Sequence, residues 1–520
     1  KNYYPSAKKV GGEMKMNRGK PILIRSVAGA ALAVTLTVPV LAACNKGGDA
    51  NDNTQRVLRI ATPYYGDDDT YFRQQFTQIF EFANPNITVE IVSIEDPMRY
   101  RYGMPAEEEQ NQDPNKKLKD MLTGDNPPDV VMLNYGQLAE LVNENLLLQL
   151  DPLISKDKFD TSDIVPAVID GIKAAGNGNL YALSPTFSSQ VLVYNKALFD
   201  AAGVPYPTDG MTWDEMFDLA RRVSRGEGAE RIYGFSFSQY NYGSKENLFH
   251  EMDAYISPLQ LRIFDDKGER MTVDTDQWER VWTKMIQLSD EKIFPEPIDY
   301  SQMRAMGEEF NPFAHQPFMA GRVAMTIAQM YNINELINAN KNAANIKGYT
   351  PIDWDIVTMP THPEANGIGG NVYYSGMMAI NAKAQNPDDA WRFLKFINGE
   401  EWAKLNSKST GQLVSRAKYI QPRDGLTYNV KAFYSLRPVP EENELSRLAR
   451  QNRNIYEVYY MGSQYFKKAL EKSVSVRDAL KEWQTAGDSM LQQIKDNPNG
   501  PIDMMPIPLP GGAVEVLPAG

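Results

Sequence analysis

The sequence predicts an α/β fold, and three observations carry that reading. Val57-Leu58-Arg59-Ile60-Ala61 reads as a strand. Phe72, Phe76, Ile79, Phe80 and Ala83 then recur at helical spacing, and Ile87–Ile91 alternates as a second strand. The succession returns at Asp129-Val130-Val131-Met132-Leu133, a short buried-strand pattern followed by a helix around Leu138, Leu141 and Val142. A further region of the same kind opens at Val191-Leu192-Val193-Tyr194. Strands alternating with helices imply parallel βαβ units.

Asp67–Asp69 stands at the start of the first helix, where carboxylates complement the helix dipole. Asn84-Pro85-Asn86 ends that helix. Asp96–Lys119 is more polar than its neighbours and is expected to be a long surface loop or insertion. Thr212-Trp213-Asp214-Glu215 forms a capping box, with Glu215 three residues after the N-cap threonine. Met216, Leu219, Ala220 and Val223 supply that helix's buried stripe. Asp265-Asp266-Lys267-Gly268, between Leu261–Phe264 and Met271–Val273, is a hairpin signal. Helices follow Asp276 and Asn386-Pro387, the second with Ala390, Phe393, Leu394 and Ile397 on one face. The tail Asn497–Gly520 is rich in Pro and Gly and is expected to be irregular.

The N-terminal region carries a different signal. Leu41-Ala42-Ala43-Cys44 ends an uncharged stretch, Ser26–Ala43, preceded by Lys15, Arg18, Lys20 and Arg25. A basic flank, a short apolar segment and a small-residue cleavage site make an export signal. With Cys44 directly after, the run resembles a bacterial lipoprotein lipobox, in which the cysteine thiol carries a diacylglyceryl group and becomes the mature N-terminus. The alternative is a retained transmembrane anchor, but a span needs about 20 apolar residues, and Thr35, Thr37 and Pro39 weaken this one. Residues before Met14 or Met16 read as an upstream extension. Asn45–Gln55 reads as a flexible spacer. The chain is thus expected on the extracellular face of the bacterial cell membrane, held by lipid.

Cys44 is the single cysteine, so no disulfide forms within the chain and stability rests on a core. A chain of 520 residues buries a large one, in more than one domain. The net charge is −12; residues 1–44 hold seven basic residues and one acid, which leaves −18 for the remainder. Nucleic acid and anionic surfaces would be repelled. Core packing explains many of the 27 tyrosines, and a surplus also suits a site for polar ligands with apolar faces.

Several segments together resemble a known family. Tyr181-Ala182-Leu183-Ser184-Pro185, then Val193-Tyr194-Asn195-Lys196-Ala197-Leu198-Phe199-Asp200-Ala201-Ala202-Gly203-Val204, then Thr212–Glu215, is similar to the middle signature of extracellular solute-binding proteins of the maltodextrin-binding type, the capture subunits of ABC importers. Phe318–Met325, Trp354-Asp355-Ile356-Val357, Gly369-Gly370 leading to Met377, Ala379 and Ile380, and Asp389–Leu394 follow in the family's order. The resemblance implies a two-lobed periplasmic-binding-protein-like fold (type II), each lobe a sheet flanked by helices, joined by a multi-segment hinge. Crossings are expected near Phe187–Leu192, Gly370–Tyr374 and Gly411–Arg416. Lobe one would then comprise 56–187 and 374–411, and lobe two 192–369 and 416–496.

The solute would lie between the lobes. Tyr64, Tyr65 and Asp67 follow the first strand, and Asn134 and Tyr135 follow Asp129–Leu133, at strand C-terminal ends where open α/β sheets carry ligand loops. By resemblance, Tyr331 falls where the family often has an aromatic sugar platform; this chain has Gln329-Met330-Tyr331 where members usually have Trp preceded by Gly-Pro. Phe187 and Ser188 belong to the first crossing, Tyr373 and Tyr374 to the second, and Tyr240 and Tyr242 to an aromatic loop, Gln239–Gly243. Aromatic rings cover the apolar face of a pyranose, while Asp, Asn and Tyr pair with its hydroxyl rim.

Metal chemistry has little support. His250, His315 and His362 form no metal-spaced pair, and His362, in Pro360-Thr361-His362-Pro363, reads as an exposed turn. Asp67–Asp69 lacks further oxygen ligands at regular spacing for calcium. The expected function is therefore a lipid-anchored receptor, not an enzyme, without cofactor, monomeric, capturing a carbohydrate by hinge closure and delivering it to ABC permeases. The rivals are a secreted glycan hydrolase, which needs two carboxylates about 5–10 Å apart, and a receptor of the same fold for a peptide or other solute.

Overall fold

The computed structural model describes residues 54–63, 69–94, 114–241, 244–297, 312–369, 371–408, 411–439, 444–452, 454–497, 507–508 and 514–515. Its strands, in chain order, are β1 (Arg56–Thr62), β2 (Ile87–Ser93), β3 (Val130–Met132), β4 (Ala182–Leu183), β5 (Thr186–Ser188), β6 (Val191–Asn195), β7 (Tyr233–Ser236), β8 (Val323–Ala328), β9 (Trp354–Thr358), β10 (Tyr373–Ser375), β11 (Met378–Ile380), β12 (Leu413–Val414), β13 (Ile507–Pro508) and β14 (Val514–Glu515).

The fold is a mixed α/β, two-lobed architecture built on two larger sheets. The first has the order β2-β1-β3-β11-β4, with β1 parallel to β2 and β3, and β11 antiparallel to β3 and β4. The second has the order β7-β8-β6-β9, with β7 parallel to β8 and β6 antiparallel to both its neighbours. Both sheets are therefore mixed, where βαβ units alone would make them parallel. The cause lies in the third sheet, β10-β5-β12. The chain leaves β4 for β5 and passes directly into β6; it leaves β9 for β10 and passes directly into β11. Hence β6 starts where β8 and β9 end, with Val191 opposite Ala328 and Thr358. Likewise Met378 of β11 lies opposite Met132 and Leu183 at the ends of β3 and β4. The C-terminal ends of β3, β4, β8 and β9 thus all face the three-stranded sheet.

Local chemistry accounts for the helices. Thr212 and Glu215 make the expected capping box, each side chain bonding the other residue's backbone N–H, at 3.2 and 2.8 Å. Such a cap contributes about 1 kcal/mol. The helix Trp213–Val223 buries Trp213, Met216, Phe217, Ala220 and Val223 against the face of β6 that carries Leu192 and Tyr194. Val191 and Val193, on the other face, join the helix Met330–Lys341 through Met330 and Ile333. The same apolar cluster continues through Phe187, Leu413 and Val414 of the three-stranded sheet into Leu58, Ile60 and Val130. The helix Pro387–Ile397 buries Ala390, Phe393, Leu394 and Ile397, as its spacing predicts.

Four local expectations need correction. Ile79 is 44% exposed and Ala83 is exposed. A π turn over Arg73–Thr77 widens the helix and rotates the turns after it, leaving Phe72, Phe76, Thr77 and Phe80 inside. The polar segment ending at Lys119 is not all loop: Pro114–Thr123 is a helix with Leu118 and Leu122 buried, a proline-started helix whose apolar pair is spaced by one turn. His362 is 5% exposed, because the Thr212–Thr361 bridge draws its segment against Trp213 and Tyr255. In the tail, β13 pairs with β14. The Asp265–Gly268 turn forms, although its flanks pair only as the isolated bridge Phe264–Met271.

Candidate functional site

The end of β3 supplies the first side chains. Asn134 caps the helix Tyr135–Asn143: its Oδ1 accepts from the Gln137 N–H at 2.9 Å, and Gln137 Oε1 accepts from the Asn134 N–H at 3.1 Å. The cap fixes the direction of the next residue, Tyr135. Its ring stacks on Tyr374 with centroids 5.7 Å apart and planes 19° from parallel. Tyr374 sits on β10 opposite Phe187 of β5, and Tyr373 sits opposite Ser188. Side chains alternate along a strand, so Tyr374 and Phe187 share one face while Tyr373 and Ser188 share the other. Phe187 is fully buried among the three strands, Ser188 is half-buried, and Tyr373 is 50% exposed.

Tyr135, Asn371, Tyr373 and Tyr374 form one wall of a cavity of about 550 Å³. The opposite wall comes from the short helices Leu248–Glu251 and Asp253–Ile256 and from Tyr459, and brings in His250 and Asp253. Burial holds the His250 imidazole below its ordinary range, and its Nδ1 lies 3.2 Å from the Tyr459 hydroxyl. Burial raises the Asp253 carboxyl, partly offset by a hydrogen bond from Ser257. Burial, and then the charge of Asp253, raises the Tyr373 phenol. The cavity therefore offers aromatic faces, neutral phenols, the amides of Asn371 and Gln260, one carboxyl and the Arg262 guanidinium, which pairs with Asp266 at 2.6 Å. Among the described residues that line it, Asp253 is the only carboxylate.

A second aromatic cluster forms at the ends of β7 and β8. Tyr240 stacks on His315 with centroids 5.7 Å apart and planes 11° from parallel. Burial raises the Tyr240 phenol, with further contributions from Glu335 and Tyr331 close by. Tyr240 is 39% and Tyr331 47% exposed. The structure thus brings Tyr135, Tyr373 and Tyr374 together in the cavity, and Tyr240 and Tyr331 together outside its lining. Tyr64, Tyr65, Asp67, Tyr242 and Cys44 lie outside the described residues. Asn371, His250, Asp253 and Tyr459 were missed by sequence reasoning. Asn371 adjoins the expected second crossing, and His250 and Asp253 are three residues apart, but no local pattern ties either to Tyr459. Among the described residues no three His, Cys, Asp or Glu side chains converge to hold a metal.

Two sheets joined through a small third sheet, with a cavity reaching from its edge, define a two-lobed solute receptor architecture. The profile of the bacterial extracellular solute-binding protein family matches residues 62–404, and the chain belongs to that family. A Brucella abortus protein named for binding alone, without a ligand, is 21% identical over 387 residues, 74% of this chain and 80% of that protein. The sn-glycerol-3-phosphate-binding periplasmic protein UgpB of Salmonella typhimurium is 24% identical over 282 residues, 51% of this chain and 56% of its own length. Among solved structures, an open-conformation sugar transporter from Rhizobium etli superposes with a TM-score of 0.56 at 19% identity, covering 84% of this chain and 99% of that one. The sugar-binding protein MalE of Xanthomonas citri gives 0.55 at 17% identity, covering 85% and 98%. At such identities the structures speak for the fold. Among the described residues, no helix is long and apolar enough to cross a membrane.

Proposed function

We propose that the protein is a lipid-anchored extracellular receptor that captures a carbohydrate, an oligosaccharide, by hinge closure and delivers it to the permeases of an ABC importer. The observation that carries this is the cavity between Tyr135, Tyr373 and Tyr374 on one wall and His250, Asp253 and Tyr459 on the other. Its rings match the C–H faces of pyranoses, and its phenols, amides, carboxyl and the Arg262 guanidinium match their hydroxyls. The sugar-named structural neighbours agree with this reading. We take β5, β10 and β12 as the hinge, lobe one as 56–187 with 374–411, and lobe two as 192–369 with 416–496. Closure follows from differential affinity, since a solute that bound open and closed forms equally would shift nothing. Cys44 would carry the lipid, and two acyl chains hold more firmly than one.

Calorimetric titration of the full chain, purified in detergent, against neutral sugars and against peptides tests the ligand class. Binding and a raised melting temperature are expected with a sugar, the rise following RT ln(1 + [L]/Kd). A response to peptides alone would reject the carbohydrate assignment, and turnover of a bound oligosaccharide would reject the receptor. Labelled palmitate should enter the wild type and not Cys44→Ala; equal labelling would remove the anchor from the proposal.

A further inference from the structure

A second cavity of about 500 Å³ adjoins the first, and Gln260 and Leu261 line both. Gln260 sits at their junction with φ +51°, a left-handed conformation that few residues other than glycine adopt. Such backbone strain persists where its surroundings hold it and clusters at ligand sites. The floor of the second cavity is aromatic: Tyr255 meets Trp213 edge-on at 5.3 Å and His362 at 4.5 Å. Trp213 is 2% exposed, and its indole N–H has no hydrogen-bond partner among the described residues.

The rim of this cavity is charged but balanced. Asp214 and Lys284 pair at 2.8 Å. Arg280 and Glu364 are exposed and make no ion pair or hydrogen bond among the described residues. Among the described rim residues, one free cation and one free anion beside a neutralised pair favour no net charge in an occupant. They favour groups that both donate and accept, which is the chemistry of hydroxyls. A volume near 500 Å³ falls within the ordinary range of small-molecule sites.

We propose that this cavity is an extension subsite holding further units of a neutral oligosaccharide whose leading units occupy the Tyr135–Tyr374 cavity. The proposal rests on the carbohydrate reading above. Its described lining residues lie in the segments 213–284 and 361–368, on the second-sheet side of the hinge. The contacts it makes therefore exist before and after closure, so chain length raises affinity without driving closure.

Calorimetry on the full chain with neutral disaccharides of the gluco, manno, xylo and galacto series, and with their hexasaccharides, decides the matter. In the series that binds, the hexasaccharide is expected to bind about tenfold tighter or more, two added hydrogen bonds contributing on that order. The double variant Arg280→Ala, Glu364→Ala should lower hexasaccharide affinity to near the disaccharide value and leave disaccharide affinity unchanged. Both side chains are exposed, so the fold should survive. A hexasaccharide no tighter than its disaccharide, or an equal loss for both in the variant, overturns the subsite alone. Failure of every sugar to bind overturns the carbohydrate reading and the subsite together.

Discussion

Tyr135 and Tyr374 stack 5.7 Å apart although 239 positions separate them, and the stack joins the helix after β3 to strand β10. Tyr374 is also fixed from behind. Its hydroxyl reaches toward the Ala167 carbonyl at 3.4 Å and lies against Gly171 of the helix Pro166–Ala175. Gly171 is small for a reason: a Cβ there would lie 1.8 Å from the Tyr374 Oη.

Gly171→Ala should therefore disturb solute binding more than folding. Alanine gains up to about 1 kcal/mol of helix propensity over glycine. Overpacking against the phenol costs about 1–3 kcal/mol. The net loss of stability is about 0–2 kcal/mol, but the Tyr374 ring must leave its stack on Tyr135. The expected outcome is a melting point within a few degrees of wild type and a clear loss of sugar affinity by calorimetry. Unchanged affinity would detach the Tyr135–Tyr374 stack from the site.

Tyr135→Ala should weaken sugar binding about tenfold with the fold intact, since the ring is only half-buried and an aromatic pair is worth about 0.5–1.5 kcal/mol beyond its area. Tyr135→Phe should retain most of the affinity if stacking rather than the hydroxyl carries the contact. Tyr331→Ala is the informative counterpart, because Tyr331 is exposed and lies outside the lining of the cavity. Loss in Tyr331→Ala with none in Tyr135→Ala would move the site from the cavity to Tyr331.

What was legible in the sequence was what is local. The Thr212–Glu215 cap and the apolar stripe of Pro387–Ile397 are set by residues one helical turn apart, so spacing reveals them. The π turn at Arg73–Thr77 is local too, but it changes the period itself, and a fixed 3.6 spacing then misplaces Ile79 and Ala83. His362 looked like a turn because prolines flank it; its burial comes from Trp213 and Tyr255, more than 100 positions away. For the site, strand ends pointed to Tyr135, and the resemblance pointed to Tyr373 and Tyr374. It could not tell which way Phe187 faces, since that depends on its pairing with both Tyr374 and Leu413. His250, Asp253 and Tyr459 meet the stack only through the tertiary fold.

Stability should fall as pH rises through the weakly acidic range, and Glu251 should carry part of that fall. Burial pushes its carboxyl up from 4.5 to about 7. The unfolded chain releases this proton first, so between these values the folded state holds more protons and loses ground as pH increases. The difference is at most about 3 kcal/mol, complete near neutrality. Buried His250 has a lowered value and works in the opposite direction, so the test is a difference between proteins. Urea midpoints from pH 5 to 8 should show Glu251→Gln gaining on wild type as pH rises. Parallel curves would reject the role of Glu251.

Arg416, just after β12, should be among the costliest side chains to remove. It is 3% exposed, and its Nε donates to the Asn398 carbonyl at 2.9 Å. Its Nη1 donates to the Asp160 carbonyl at 2.7 Å and pairs with Asp163, and the guanidinium lies 5.1 Å from the Phe159 ring centroid. The backbone is tied in as well, with Ala417 N–H donating to Asp163 O at 2.8 Å. Arg416→Met keeps the apolar stem but strips the donors from two carbonyls and from a partly exposed carboxylate. Breaking one side of such a buried pair costs about 3–5 kcal/mol. Arg416→Lys keeps the charge yet cannot serve three acceptors with one planar fork, so it should fall between the two. Asp163→Asn should cost least, because the carbonyl acceptors still hold the guanidinium. Urea unfolding of the four proteins should rank wild type, Asp163→Asn, Arg416→Lys and Arg416→Met in falling stability. An Arg416→Met loss below about 1 kcal/mol would mean the network adds little to anchoring β12, and its pairing with β5 and the apolar contacts of Leu413 and Val414 would then hold that strand.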